Sequence, residues 1–290
     1  MNSIENTMNK VWFITGAGSG LGTGIAKAAL SAGHRVVATG RNIDKVRNAF
    51  PNIAPEYIAF VSLDVANEAQ AKAAVDEAIR RFGRIDVLVN NAGYSLLGNF
   101  EQMTVAEIQQ QFSTNFYGVV HVMHAALPVM RRQHSGHIIN ISSVAGVVGL
   151  KHCAAYAATK FAVEGLSLSV ATEVEKFGIK ITVVEPGFFR TDLLDSHNVR
   201  WVCKVIEDYA AEGTAENMWS KYNGTQPNDP AKLGDALVKI AAMLHPPKVF
   251  AAGGDALDTI RPALEERLQD MRAHEMLSKG MEGAYEQVKQ

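Results

Sequence analysis

Short runs of apolar and β-branched residues recur along the chain at regular intervals: Val11 to Thr15, Arg35 to Thr39, Tyr57 to Leu63, Ile85 to Val89, His137 to Ile141 and Ile179 to Val184. Runs of this length with little polar alternation predict strands buried on both faces. Longer segments of helical character lie between them, at Gly22 to Ser31, Glu68 to Phe82, Thr104 to Arg132 and Ala155 to Phe177. This alternation predicts right-handed crossovers and a parallel sheet with helices on both faces. From Phe188 to Asp229 the alternation stops, and Phe188, Phe189, Trp201, Tyr209, Trp219 and Tyr222 sit in a stretch of mixed polarity that reads as a lid over a site. After Pro230 a helix (Ala231 to Leu244), a short strand (Lys248 to Ala252) and a charged helix (Asp255 to Ala273) close the chain.

The expected organisation is one α/β domain over residues 1–290, with the lid at about 188–229 and a helical extension from about 255. Length alone would also allow two domains, but 47% hydrophobic content and unbroken alternation suit one large core. The 28 basic and 30 acidic residues nearly cancel, so no charge footprint points to nucleic acid or an anionic membrane. A small neutral substrate fits better. Cys153 and Cys203 cannot form a disulfide framework, and neither belongs to a C-x-x-C pair. The polar first ten residues and the absence of a long apolar run lead to the expectation of a soluble cytoplasmic protein.

The first strand runs into Thr15-Gly16-Ala17-Gly18-Ser19-Gly20-Leu21-Gly22, with a helix following. Glycines at such a junction permit a tight turn and let backbone N–H groups at a helix N-terminus approach a pyrophosphate. The spacing is G-x-x-x-G-x-G through Gly16, Gly20 and Gly22, because Leu21 occupies the third place of the more familiar G-x-G-x-x-G. Gly16, Ser19, Gly20, Leu21 and Gly22 are the candidate cofactor contacts of this loop. The second strand would end in Asp or Glu if the cofactor ribose carried a free 2′-hydroxyl. Gly40 stands there instead, and Arg41 follows with a permanently charged planar fork suited to a 2′-phosphate. NADP(H) is therefore favoured, with NAD(H) as the alternative.

Tyr156 and Lys160 lie four apart on the predicted helix after the fifth strand, on one face and one turn apart. A free tyrosine has a pKa near 10 and is a poor proton shuttle near neutrality, and a neighbouring ammonium is expected to lower it. The preceding strand ends Asn140-Ile141-Ser142-Ser143, at the sheet edge where open α/β proteins bind ligands. A serine there can donate a hydrogen bond to a substrate oxygen as negative charge develops. His121 and His124 lack an accompanying carboxylate or third ligand, so no metal is expected.

With these elements assembled, the chain resembles the compact single-domain branch of the short-chain dehydrogenase/reductase family, from about Val11 to Thr191 and more weakly to about Ala252. The family's T-G-x-x-x-G-x-G loop is met by Thr15 to Gly22, and its Y-x-x-x-K motif by Tyr156 to Lys160. The family spacing of serine to tyrosine selects Ser143 over Ser142. The resemblance implies a doubly wound Rossmann fold with a mostly parallel seven-stranded sheet. It also implies that Asn91, Ala92 and Gly93 of an N-N-A-G segment border the adenosine, and that Asp64 and Val65 contact the adenine side. Pro186, Gly187 and Thr191 would receive the nicotinamide end, and Asn115 would hold a water connected to the lysine. One departure is Ser19, where many NADP(H)-preferring relatives have a second basic residue.

The implied activity is hydride transfer between a carbonyl and an alcohol. Ser143 and Tyr156 would hydrogen-bond the substrate oxygen, Tyr156 would give or take the proton, and Lys160 would bind the nicotinamide ribose. Leu96, Val144, Val148 and Leu150, with the lid aromatics, suggest a lipophilic ketone or aldehyde and its alcohol, with His152 and Cys153 as pocket wall. Two alternatives are a sugar-nucleotide epimerase or dehydratase, whose loop spacing differs, and a non-catalytic cofactor-binding regulator, which would be expected to lack one of Ser143, Tyr156 or Lys160. By resemblance, the helices Thr104 to Arg132 and Ala155 to Phe177 would pair across a two-fold axis into a homodimer or homotetramer.

Overall fold

A computed structural model describes residues 9–191, 193, 199–210, 213–281 and 283. Seven strands form one wholly parallel sheet: β1 (Val11–Ile14), β2 (Arg35–Gly40), β3 (Ile58–Ser62), β4 (Val87–Asn90), β6 (Gly136–Ile141), β7 (Ile179–Pro186) and β9 (Val249–Ala252). Their spatial order is β3-β2-β1-β4-β6-β7-β9, so the chain starts at β1, winds outward to β3, then returns to β4 and winds the other way. That reversal opens a crevice at the carboxyl ends of β1 and β4, where ligands of such sheets bind.

The middle strand shows why the sequence folds this way. All four residues of β1 are fully buried, and alternate side chains feed opposite faces. Trp12 and Ile14 join one core with α1 (Gly20–Ser31) and α9 (Pro230–Ala242), while Val11 and Phe13 join the other with α3 (Glu68–Phe82) and α5 (Gly118–Gln133). The remaining helices are α2 (Ile43–Asn48), α4 (Val105–Phe112), α6 (Ala154–Val174), α7 (Glu207–Ala210), α8 (Ala215–Trp219), α10 (Gly254–Ala273) and α11 (Glu275–Lys279). None of the helices is long and apolar enough to cross a membrane among the described residues.

The predicted elements hold, with shifted edges. Helix α3 has the expected bounds because Asn67 caps its start, accepting from Gln70 N, and Gly83 at φ 77° ends it. Helix α1 begins two residues earlier than predicted, at Gly20, so two loop glycines fall in its first turn. The helix expected from Thr104 to Arg132 is interrupted: α4 and α5 are joined by a π-helical turn, Ser113–Tyr117, that carries the buried Asn115. In the segment read as a lid, β8 (Val199–Trp201) pairs in parallel with β5 (Ser95–Leu97), a small second sheet that the sequence did not predict. A three-residue strand pairing across a hundred residues leaves no periodic signal.

Helices α1 and α9 touch through two glycines. An added Cβ at Gly24 would lie 2.7 Å from Pro230 O, and one at Gly234 would lie 2.6 Å from Gly24 O. Gly234→Ala is expected to destabilise the fold by about 1–3 kcal/mol through overpacking; chemical denaturation checks it, since a neutral change would mean that the helices can separate freely.

Candidate active site

The crevice is held open by one polar junction. Thr15, just past β1, accepts hydrogen bonds at Oγ1 from Asn91 N (2.9 Å) and Ala92 N (3.0 Å), just past β4. In return Asn91 Nδ2 donates to the carbonyls of Thr15 (3.0 Å) and Gly16 (3.2 Å). The glycine loop and the N-N-A-G segment are thereby fixed to each other. Gly16 and Gly20 adopt φ of +66° and +54°, and a Cβ at Gly16 would lie 3.0 Å from Ala92 Cα. Backbone this crowded and left-handed suits glycine.

Every residue expected at the site except Gly22 and Asn115 lines one cavity of about 420 Å³ that starts at the glycine loop. Gly22 sits behind the loop, where a Cβ would be 2.2 Å from Gly16 O, so it serves the close turn rather than the cavity surface. Asn115 is also set back. Its amide donates to Tyr94 O (2.9 Å) and its Oδ1 accepts from Tyr94 N (3.1 Å), so the π-turn clamps the backbone that continues from Gly93. Behind these, a buried chain of hydrogen bonds runs from Asn90 Nδ2 to Asn140 Oδ1 (2.8 Å) and from Asn140 Nδ2 to Ser167 Oγ (2.8 Å). It ties β4 and β6 to α6, the helix that carries Tyr156 and Lys160.

Ser143 follows β6 in extended backbone and begins a 3₁₀ turn, Val144–Gly146, with its Oγ accepting from Ala145 N (3.1 Å). A hydrogen bond with Ser143 pulls the Tyr156 pKa down, but burial is the larger influence and pushes the phenol up to about 12. The downward shift expected from the lysine is not found, and the lysine's placement accords with that. Lys160 Nζ lies 5.6 Å from the Tyr156 ring centroid, and donates to Ile141 O at 2.8 Å. Burial brings the lysine itself down to about 8, with Glu164 pulling it up.

The cavity's far wall differs from the expected one. Val144, Leu150 and Cys153 line it, but Leu96 is packed against Met103 and Ala155, and its neighbour Leu97 faces the cavity instead. Val148 and His152 do not reach it. The lid aromatics divide between two tasks. Phe188, Phe189 and Trp219 line the cavity, and Phe188, Trp219 and Tyr222 form a cluster with centroids 5.6–6.0 Å apart. Trp201 packs with Leu97 and Val199, while Tyr209 donates to Glu101 Oε2 (3.1 Å).

Two further contributors carried no sequence signal that singled them out. Lys45, on the first turn of α2, lines the same end of the cavity as Arg41. Asp255, at the start of α10, accepts from Phe188 N (2.6 Å) and Asn228 Nδ2 (2.6 Å), fixing the backbone after Pro186-Gly187. A Cβ on Gly187 would lie 2.4 Å from that carboxylate. His121 Nδ1 is hydrogen-bonded to Val65 O at 2.9 Å, and no cluster of potential metal ligands occurs among the described residues.

The short chain dehydrogenase family model matches residues 10–200 of this sequence. The chain is 40% identical over 259 residues to oxidoreductase BOA17 of Botryotinia fuckeliana, covering 89% of this chain and 94% of that protein. It is 39% identical over 242 residues to a 3-ketodihydrosphingosine reductase of Bacteroides thetaiotaomicron, covering 82% and 86%. A short-chain dehydrogenase from Streptomyces avermitilis has a similar structure, with a TM-score of 0.84, 35% identity, and 95% and 99% of the two chains covered. So do a Burkholderia phymatum member in complex with NAD (TM-score 0.76, 25% identity, 88% and 92%) and ElxO with NADP bound (0.72, 29%, 87% and 100%). The chain belongs to the short-chain dehydrogenase/reductase family. It is an NAD(P)-dependent oxidoreductase acting on CH–OH or C=O groups.

The crevice fits a nicotinamide dinucleotide on its own terms. The N-terminus of α1 opens at Gly20 beside the left-handed glycines, which leaves backbone N–H groups for a pyrophosphate. Asn91→Ala would release the loop by removing two hydrogen bonds, and is expected to weaken cofactor binding about tenfold, roughly 1.4 kcal/mol. Quenching of tryptophan fluorescence during cofactor titration would measure it, and unchanged affinity would show that the loop holds without the amide.

Proposed function

We propose that this enzyme interconverts a lipophilic ketone or aldehyde and its alcohol, with NADP(H) preferred over NAD(H) and Tyr156 as proton donor and acceptor. The observation that carries this reading is the convergence of Ser143, Tyr156 and Lys160 in one cavity with apolar and aromatic walls at one end and Arg41 and Lys45 at the other. That one relative is a 3-ketodihydrosphingosine reductase supports a keto group as the reacting centre. When bound, the nicotinamide supplies or accepts hydride at the substrate carbon. Ser143 and Tyr156 hold the substrate oxygen, and a phenol kept protonated by burial suits proton donation as that oxygen gains charge. Lys160, anchored on Ile141 O, places a positive charge on the phenol that develops negative charge.

The cofactor preference rests on Arg41 following Gly40 and on Lys45 beside it, the second cation that Ser19 does not provide. Asp44 is engaged with Arg47 at 3.5 Å, and Asn42 caps α2 by accepting from Lys45 N. The described part of the segment 188–229, which leaves out residues 192, 194–198, 211 and 212, acts as a substrate lid on a single domain, held by Asp255 and by the β5–β8 pairing. Exposed Val105, Tyr117, Phe161 and Leu168 on α4, the π-turn and α6 support pairing of copies through those helices. A cytoplasmic setting with no partner beyond the small substrate, the cofactor and further copies completes the reading.

A spectrophotometric screen of NADPH and NADP⁺ turnover against ketones, aldehydes and alcohols tests the activity. With a competent substrate, Tyr156→Phe should lower kcat by about a hundredfold or more, and a variant retaining most of its kcat would refute the tyrosine's role. Arg41→Asp should reduce the ratio of kcat/KM for NADPH over NADH by about tenfold or more, the loss of one charge-assisted contact of about 1.5–3 kcal/mol. An unchanged ratio would leave the phosphate reading without support.

A further inference from the structure

Helix α6 carries a third ionisable group on the face that bears the first two. Tyr156, Lys160 and Glu164 follow at intervals of four, so each lies one turn behind the last. Glu164 is 9% exposed and Oε1 of its carboxyl has no hydrogen-bond partner in the protein. A carboxyl in such a place is costly and needs a reason. Around it lie Ser142 just past β6 and Glu185 near the end of β7, both more deeply buried still. The turn Val144–Gly146 closes over this group: a Cβ at Gly146 would lie 2.4 Å from Ser142 Oγ and 3.2 Å from the carbonyl oxygen of Lys160. Glycine lets the turn settle directly on the lysine's own backbone.

We propose that Glu164 is a positioning residue for Lys160, a sealed carboxyl one helical turn behind the amine whose charge keeps the lysine protonated. The catalytic consequence rests on the reading of Tyr156 and Lys160 as the proton-transfer pair. The charged groups that face Glu164 are Lys160 on its own helix and Glu185 on β7. The other elements packed on α6 are α4, β5, the π-turn, the turn at Val144–Gly146 and the turn Glu175–Phe177 that follows the helix; the last carries Glu175 and Lys176 eleven and twelve residues beyond Glu164, and none of these elements brings a charged group that acts on the carboxyl among the described residues. Burial raises the Glu164 carboxyl to about 7, with Glu185 adding to the rise and Ser142 and Lys160 opposing it. Burial lowers Lys160 to about 8 while Glu164 raises it. The two therefore titrate as a pair across the working range, and the amine loses its proton while the carboxylate is charged.

The sign of the effect follows. Without the carboxylate, Lys160 deprotonates at lower pH. The folded state also holds the Glu164 proton more tightly than the unfolded chain, whose carboxyl titrates near 4.5, so this group's contribution makes stability fall as pH rises from there through about 7.

Heteronuclear NMR of protein labelled at lysine Cε, with the Lys160 signal assigned by its loss in Lys160→Met, reads the coupling without any substrate. In Glu164→Gln the Lys160 midpoint should fall by about half a pH unit or more, and Glu164→Asp, which keeps the charge, should restore much of it. The melting temperature of Glu164→Gln relative to wild type should improve between pH 5 and pH 8. With a competent ketone, the alkaline limb of kcat/KM should move down by the same interval as the midpoint. A Lys160 midpoint unmoved in Glu164→Gln overturns the proposal, whatever happens to turnover. A midpoint that moves, with no ketone, aldehyde or alcohol turned over, upholds the coupling and removes the catalytic reading of the pair.

Discussion

The junction between Thr15 and Asn91 is the constraint on which the site depends. Two adjacent parallel strands end side by side, and past their ends the sheet ladder no longer pairs every backbone N–H and C=O group. Thr15 Oγ1 serves two N–H groups past β4, and the Asn91 amide serves two carbonyls past β1. Four hydrogen bonds thus fix the height of the glycine loop over the sheet, the start of α1 and the path toward Tyr94. Asn115 then holds Tyr94 from a turn that departs from α-helical spacing, so the π-turn is part of the site's construction.

A second theme is the contest between burial and charge along α6. Spacing on the helix suggests that the lysine should dominate the tyrosine, but burial penalises the charged form of each of these groups. Tyr156 rises, Lys160 falls and Glu164 rises, each with burial as the largest cause. The lysine's ammonium is tied to a main-chain carbonyl and lies near the ring face, leaving Ser143 as the side chain that lowers the phenol's pKa. The chain alone therefore holds its phenol protonated.

The carboxyl-terminal half contributes more than a covering layer. Asp255 opens α10 and grips the backbone after Pro186-Gly187 together with Asn228, which joins the end of β7 to the aromatic segment beyond it. Across the cavity the same segment is fastened by β8 lying alongside β5. One end of the apolar wall is thus referred to the end of β7 and the other to the small β5–β8 sheet, and Phe188 and Trp219 can line the cavity while still packing on Tyr222.

By itself the sequence determined the parallel sheet and named most of the residues that the structure brings together around the cavity, because both are written locally. Buried strands are short apolar runs, the glycine loop must follow the first strand directly, and Tyr156 and Lys160 share a helix face by spacing alone. Ser143 was distinguished from Ser142 by family spacing, and the structure places both beside the cavity with Ser143 capping the turn. What only the tertiary structure decided is long-range. Leu97 takes the cavity position expected of Leu96 because a strand's side chains alternate, and only the pairing of β5 says which face looks inward. Lys45, Asp255 and Glu164 are ordinary polar residues in sequence. They acquire their places because distant elements bring them to Arg41, to Gly187 and to the sealed space behind Lys160, where burial reverses the electrostatics that spacing alone would suggest.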